Sequence, residues 1–571
     1  MPGFFICNTA MAPKISNYDD SRCFSGELTA DGWHIRWNML DKFTDDKLAC
    51  SHSDFTVVLD GVILNKTAIM QELGMKSWEE AFLSMVRSAS DSAQVFQKLR
   101  GAFCGAIYNH QKKEWSVFTD QIGSHLVCSY ASDGVVAFGT DIYYFSQWMK
   151  KNSMPRCVDE EWEQDILEYG FMREAHTILD GVRRVFPGSY VTCTAPQWKV
   201  LEKQYWVVKK DHVREGISEE EAIEGLDKAF SLAMNRIIDK CNENGYKVLV
   251  DISGGLDSRM IAAYAAMRTD ANIMGFNYSQ IRSLDQTVAF QVAQHLKMDM
   301  VHFPMDNGCC MLELDDLVRM NQGMNYYFGI TGGKKGLESL DRNTFGAEIY
   351  GLLGDVHEGA MIVEDEIDKL DWNYPRFKTS GMINYPEKRT YSRSYCDNEV
   401  LWFYVRGILA GMNTGFIRQN YLESLTPFGD VEFLEYNFSI PYQMRTQKAI
   451  HRKWLMHKFP ALAKVTYAAT GERVKLKDSK VRARAKYYYR RVLARLGNEK
   501  AYWSMNPIES WYQNSDEMKT MFQRYYDENI ENISNNERLT GYVSKLFLTG
   551  DVTEKALALT VLSAIKQYII S

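Results

Sequence analysis

Neither a C-x-x-C pair, nor an uninterrupted apolar run of about 18 residues, nor an excess of positive charge occurs in this chain. The 11 cysteines are scattered and odd in number, and the one close pair, Cys309 and Cys310, is adjacent. That spacing predicts a reduced, cytoplasmic protein without a structural zinc. Met1 to Pro13 lacks the basic and apolar stretches of an export signal, and no membrane span is expected. A net charge of −7 provides no global positive field, so no nucleic-acid partner is expected. There is no internal repeat, no low-complexity segment, no Walker A loop and no Rossmann G-x-G-x-x-G.

What is present reads as an ordinary globular enzyme: 46% apolar and 24% charged residues, a balance that argues against a disordered or fibrous chain. At 571 residues the chain is too long for one hydrophobic core, and roughly two to four are expected. Residues 1 to about 206 carry short strand-like runs at Phe55–Asp60, Ala102–Tyr108, Trp115–Thr119 and Val135–Phe138, with helical periodicity between them. At Ser218 a capping signature, Ser-Glu-Glu-Glu, opens a helix expected to run to about Asn242. Strands at 247–251, 272–277 and 300–303 then alternate with helices at 259–267 and 285–297, the pattern of a doubly wound parallel α/β sheet. From about residue 400 the chain reads as mainly helical.

The most informative segment is Ser253-Gly-Gly-Leu-Asp-Ser258, placed directly after a strand and directly before a helix. Two glycines let backbone N–H groups approach a ligand, and the helix N-terminus favours an anion, so the loop suits a polyphosphate. Asp257 would repel that polyphosphate unless a cation lay between, which implies Mg²⁺. A glycine turn in any α/β protein is the bland alternative; six matching residues in this context speak against it.

This loop resembles the pyrophosphate loop of the ATP pyrophosphatases, specifically of asparagine synthetases and their relatives. Further matches follow in order: Gly275-Phe276, Asp285, Tyr350-Gly-Leu-Leu-Gly-Asp355, Glu423-Ser-Leu-Thr-Pro-Phe-Gly-Asp430, Lys448 with Arg452, and, more weakly, Arg473-Val-Lys475. The resemblance implies that a substrate carboxylate is adenylated by ATP with loss of pyrophosphate, and that an amine then displaces AMP to leave an amide. It assigns Ser253, Gly254, Gly255, Leu256, Asp257, Ser258, Phe276 and Gly351 to ATP and pyrophosphate, and Asp257 with Asp355 to Mg²⁺. Lys475, with Lys477 next in line, would stabilise charge near the α-phosphate, against a solvated surface lysine as the alternative. Glu423 would orient or deprotonate the amine, against a plain helix-end carboxylate. Leu352 and Leu425 stand where asparagine synthetases carry Glu and Arg, which puts aspartate as substrate in doubt.

The first 206 residues are similar to the class II glutaminase domain of the same family, through Asp60-Gly-Val-Ile-Leu-Asn65, Leu99-Arg-Gly-Ala-Phe103, Thr119-Asp-Gln-Ile-Gly123 and Phe138-Gly-Thr-Asp141. That implies an α-β-β-α sandwich of the Ntn glutaminase type. Glutamine hydrolysis by this fold needs an N-terminal cysteine after Met1, and Pro2 stands there. Asp60 replaces the oxyanion-binding Asn and Arg100 replaces an acidic residue, so loss of glutaminase activity is expected. Cys7, within the first apolar strand, reads as structural.

Family members without that cysteine couple an amine already carried by their substrate, as β-lactam synthetases and lasso-peptide cyclases do. The substrate expected is therefore a small-molecule, peptide or sugar-acid carboxylate with its own amine donor or free ammonia. Residues 481–571 read as a helical extension whose basic stretch, Val481 to Arg491, is first of all an amphipathic helix. Related synthetases also suggest a homodimer. Two other classes stay open: a sulfur-transferring pyrophosphatase, disfavoured by the lack of cysteine pairs, and a nucleotide-binding homologue without turnover.

Overall fold

The computed structural model describes residues 2–16, 20–330, 333–361, 367, 370–372, 377–385, 393–476, 485, 488–489, 492 and 505–571. In the first domain, strands β1 (Gly3–Cys7), β2 (Cys23–Ala30), β3 (Trp33–Leu40), β4 (Leu48–Ser51), β5 (Phe55–Ile63) and β6 (Gly101–Asn109) are followed by β7 (Glu114–Thr119), β8 (Cys128–Ser132), β9 (Val135–Gly139), β10 (Arg183–Arg184), β11 (Ser189–Thr194) and β12 (Lys199–Gln204). They form two antiparallel six-stranded sheets, ordered β10-β8-β9-β1-β3-β2 and β12-β11-β7-β6-β5-β4. The four expected strands are all found, each one to three residues longer than its apolar run.

Period-two alternation sets the layers. Phe4, Ile6, Val58, Cys104, Ala106, Val136 and Phe138 face the gap between the sheets. Their neighbours Val57, Leu59, Phe103 and Ile107 face outward onto the helices Trp78–Ser88 and Ala93–Lys98. On the other side Phe5, Cys7 and Ala137 meet Phe145, Trp148 and Trp162 of the helices Ile142–Lys151 and Glu160–Tyr169. The result is the α-β-β-α sandwich.

The second domain opens with the helix Glu219–Glu243, capped by the expected box: the Ser218 side chain accepts from the Glu221 N–H while the Glu221 side chain accepts from the Ser218 N–H. Its sheet is fully parallel, in the order β15 (Met300–Pro304), β14 (Ile273–Ser279), β13 (Lys247–Asp251), β16 (Phe345–Ile349), β17 (Glu423–Leu425). The order runs one way from β13 to β15 and the other way through β16 and β17. The crevice between the ends of β13 and β16 is therefore a topological switch point, where doubly wound sheets bind ligands.

The described part of the C-terminal extension is helical and packs into the body of the protein. Its last helix, Val552–Ile565, is buried on nearly every face, and Leu557, Leu559 and Val561 join one apolar cluster with Trp162, Ile166 and Val318. A helix apolar all round has to be a core element. Among the described residues one segment, Asn398–Arg418, is long and apolar enough by composition to cross a membrane, yet most of it is buried inside the protein. Most of the basic stretch from Val481 to Arg491 lies outside the described residues.

Candidate active site

β13 ends at Asp251, and the chain turns through 252–256 into the helix Asp257–Ala266. The turn is fixed by its own side chains. Ser258 Oγ accepts from the Ser253 N–H at 3.0 Å and lies 2.7 Å from Ser253 Oγ, while the Gly254 N–H donates to Asp285 Oδ1 at 2.8 Å. A Cβ on Gly254 would sit 2.2 Å from Ala468 Cβ, so glycine is required for this close approach. β16 leads through Tyr350–Leu353 into the short helix Gly354–His357. A Cβ on Gly354 would lie 2.6 Å from Asp257 Cγ. Gly354→Ala is expected to push the Asp257 carboxylate aside and weaken Mg-ATP binding by roughly tenfold or more, with the fold retained; calorimetry alongside circular dichroism checks this.

The two loops enclose a cavity of about 400 Å³. Ser253, Gly254, Gly255, Leu256, Asp257, Ser258, Phe276, Gly351 and Asp355, the whole set expected to hold nucleotide and metal, line it together. Leu352 lines it too, as does Asp285, whose Oδ2 is buried without a hydrogen-bond partner.

Sequence reasoning missed the charge arrangement beneath. The buried Lys448 ammonium lies 2.7 Å from Asp257 Oδ1 and 3.0 Å from Glu358 Oε2, and also pairs with Asp355. Burial pushes Asp257 well above the usual carboxylate range, reinforced by Glu358 and Asp355 and opposed by Lys448. The three carboxylates raise Lys448 in turn, although burial opposes them. Three carboxylates facing one ammonium leave room for more positive charge, and the oxygen-only donors suit Mg²⁺. The residues present fit a magnesium-nucleotide complex, with Lys448 already standing in as one cation.

Two histidines back this cluster. Burial pushes His357 down to about 3 and His451 down to about 4. In the unfolded chain both take a proton near pH 6.5. Between that pH and the folded values the unfolded state binds more protons, so stability falls as pH is lowered, by about 1.4 kcal/mol per unit for each group. The urea midpoint is expected to drop from pH 7 to pH 5.5, with a shallower drop in His451→Gln.

The cavity floor also carries a cluster unforeseen from sequence. Arg418 pairs with Asp251 at 3.2 Å and Glu348 at 3.6 Å and donates to the Tyr278 hydroxyl. Arg418 Nη1, Asp251 Oδ1 and Glu348 Oε1 are buried without hydrogen-bond partners. Of these residues only Asp251, adjoining the phosphate loop in sequence, gave any signal.

The two expected catalytic residues are not brought to the cavity, which corrects both assignments. Glu423 lies on β17, where alternate side chains face opposite ways. Ser424 turns toward Glu348, whereas Glu423 turns to the first domain and pairs with Lys47 at 3.0 Å. Leu425 shares that outward face, beside Leu64 and Arg100 in a separate crevice. Lys475 is half exposed and pairs with Glu472, beyond a two-stranded hairpin. Lys477 lies outside the described residues.

In the first domain the residues that stand in for glutamine-handling groups are engaged elsewhere. Arg100 reaches across to Glu432 of the second domain at 3.0 Å, and Asp60 pairs with Lys47 at 3.3 Å. Cys7 is buried within β1, and burial raises its thiol.

Comparison with known proteins agrees with this two-part architecture. Residues 18–206 match the glutamine amidotransferase domain family, and residues 233–327 match the asparagine synthase family. No curated protein matches the chain. Among solved structures, glutamine phosphoribosylpyrophosphate amidotransferase from B. subtilis, complexed with ADP and GMP, is 12% identical with a TM-score of 0.23, covering 48% of this chain and 59% of that one. A structure described as the allosteric regulatory enzyme of purine biosynthesis is 11% identical with a TM-score of 0.24, covering 48% of this chain and 58% of that one. The chain thus spans under two thirds of the length of either. The two family matches define an amidotransferase-type domain joined to a synthetase domain. The chain is thus similar to the asparagine synthetase family over residues 18–206 and 233–327.

Proposed function

We propose that this protein is an ATP-dependent, amide-forming ligase that adenylates a carboxylate, releases pyrophosphate and takes its amine from a source other than glutamine hydrolysed in its own first domain. One observation carries the reading: every residue of the phosphate loop, with Asp257 and Asp355, converges on one cavity at the switch point of a parallel sheet. The loop N–H groups and the helix N-terminus at Asp257 would hold the phosphates. Asp257 and Asp355, with Glu358 beside them, would hold Mg²⁺, which when bound supplies neutralisation of phosphate charge. Lys448 fixes these carboxylates in place. Asp251, Tyr278 and Arg418 offer both signs of charge to the acceptor end of the cavity, which favours a substrate bearing a carboxylate and an amine.

Loss of glutaminase activity is supported by Pro2, by Asp60 held on Lys47 and by Arg100 turned to Glu432. The second reading, nucleotide binding without turnover, draws on Glu423 and Lys475 lying away from the cavity. Incubation with Mg-ATP and aspartate, with ammonium or glutamine, and then with amine-bearing acids and sugar acids, separates the two when AMP and pyrophosphate are followed by mass spectrometry. AMP with an acid plus ammonium, and no glutamate from glutamine, is expected. Absence of AMP across the panel would favour the binding role, and glutamate release would refute the loss of glutaminase.

A further inference from the structure

Where the domains meet, the end of the sandwich holds a second cluster of reactive side chains that the ligase reading leaves unused. Asp60 on β5 and Cys104 on β6 are register partners, so their side chains leave the sheet on the same face. His125, from the segment after β7, joins them, and the three potential ligand atoms lie within 4.8 Å of one another, with all three residues buried. His125 Nε2 is buried without a hydrogen-bond partner, and Glu423 Oε2 from the second domain lies 3.8 Å away.

We propose that Asp60, Cys104 and His125 form a buried zinc site at the domain seam, with Glu423 supplying the fourth donor. Zinc takes thiolate, imidazole and carboxylate donors at about 2.0–2.3 Å in a tetrahedron, which needs only a modest inward movement of these atoms. The mixed sulfur, nitrogen and oxygen set suits zinc and is wrong for magnesium. Charge points the same way. Asp60, Glu423 and the nearby Asp120 face the single Lys47 ammonium, so a dication that displaces the Cys104 thiol proton to solvent offsets an excess of negative charge. The surroundings already orient the donors as a supporting shell does: the Gly61 N–H donates to Asp60 Oδ1 at 2.8 Å, and Lys47 is anchored on the Leu40 carbonyl at 2.9 Å. The ligands stand 44 and 21 residues apart in the chain, so no spacing motif announces them. The site would staple β5, β6 and the segment after β7 to β17, whatever reaction the neighbouring cavity performs.

The one other set of potential ligands among the described residues, Cys50, His52 and Glu79, is partly exposed, and His52 is already paired with Glu79 at 2.8 Å. That set provides the control. Full-length protein purified without chelators is analysed by elemental mass spectrometry, with the Cys104→Ser, His125→Gln and Cys50→Ser variants beside it. About one zinc per chain is expected in the wild type and in Cys50→Ser, with a loss of at least roughly tenfold in Cys104→Ser and His125→Gln. Because the buried variants can fail to fold, protein produced on cobalt gives a second reading: a thiolate-to-metal charge-transfer band that persists in Cys50→Ser. Folded wild-type protein without stoichiometric metal and without that band would overturn the site, as would metal that is retained in Cys104→Ser or lost in Cys50→Ser.

Discussion

Asp257→Ala is expected to lower pyrophosphate release at least roughly a thousandfold while leaving the protein folded, because it removes the one carboxylate of the cluster that stands on the phosphate loop itself. The Asp257 side chain is the point where the phosphate loop, Gly354 of the second loop and Lys448 meet. Asp257→Asn is expected to fall nearly as far, since an amide keeps the shape and loses the charge. Thermal unfolding should rise slightly in both variants, because burial and the neighbouring Glu358 make this carboxylate costly in the absence of metal. The measurement is AMP and pyrophosphate by mass spectrometry at saturating Mg-ATP. Activity within tenfold of wild type in Asp257→Asn would remove the metal-binding role.

Lys448→Met acts in the opposite sense on stability. Truncating the ammonium leaves Asp257, Asp355 and Glu358 facing one another, two of them buried. Breaking a buried charge cluster from one side costs about 3–5 kcal/mol, a large share of a domain's stability. Two features separate this from ordinary packing loss. Millimolar Mg²⁺ should restore part of the loss, about 2.7 kcal/mol at a hundredfold excess over its dissociation constant. Lowering the pH should narrow the gap to wild type, because protonation relieves the repulsion among the carboxylates. Urea unfolding with and without Mg²⁺ at pH 7 and pH 6 tests both. A deficit indifferent to Mg²⁺ and pH would show that Lys448 only fills space.

How much could be foreseen followed from how the information is stored along the chain. The place of the Ser253–Ser258 turn between strand and helix was legible because six consecutive residues with an apolar run before them and a helical one after them carry it. The alternating faces of β5 and β6 likewise left a period-two trace, which predicted the sandwich strands almost to their ends. The cluster of Arg418, Asp251, Glu348 and Tyr278 draws on four separate elements, and nothing in the sequence joins them. Glu423 was misplaced because a three-residue strand gives too little alternation to reveal which side chain faces the cavity. Lys475 matched a motif but follows a hairpin whose path is set by tertiary contacts such as the Arg452 hydrogen bond to its carbonyl oxygen at 2.7 Å. Leu352 lines the cavity, whereas Leu425 belongs to the seam.

The burial of the helix Val552–Ile565 against the outer helices of the first domain has a consequence for how the protein is made. On the ribosome the first domain emerges hundreds of residues before the segment that covers Trp162 and Ile166. Its sandwich can form early, but an apolar flank stays open until that segment has emerged. Chains that terminate before this helix carry a sticky surface into the cell.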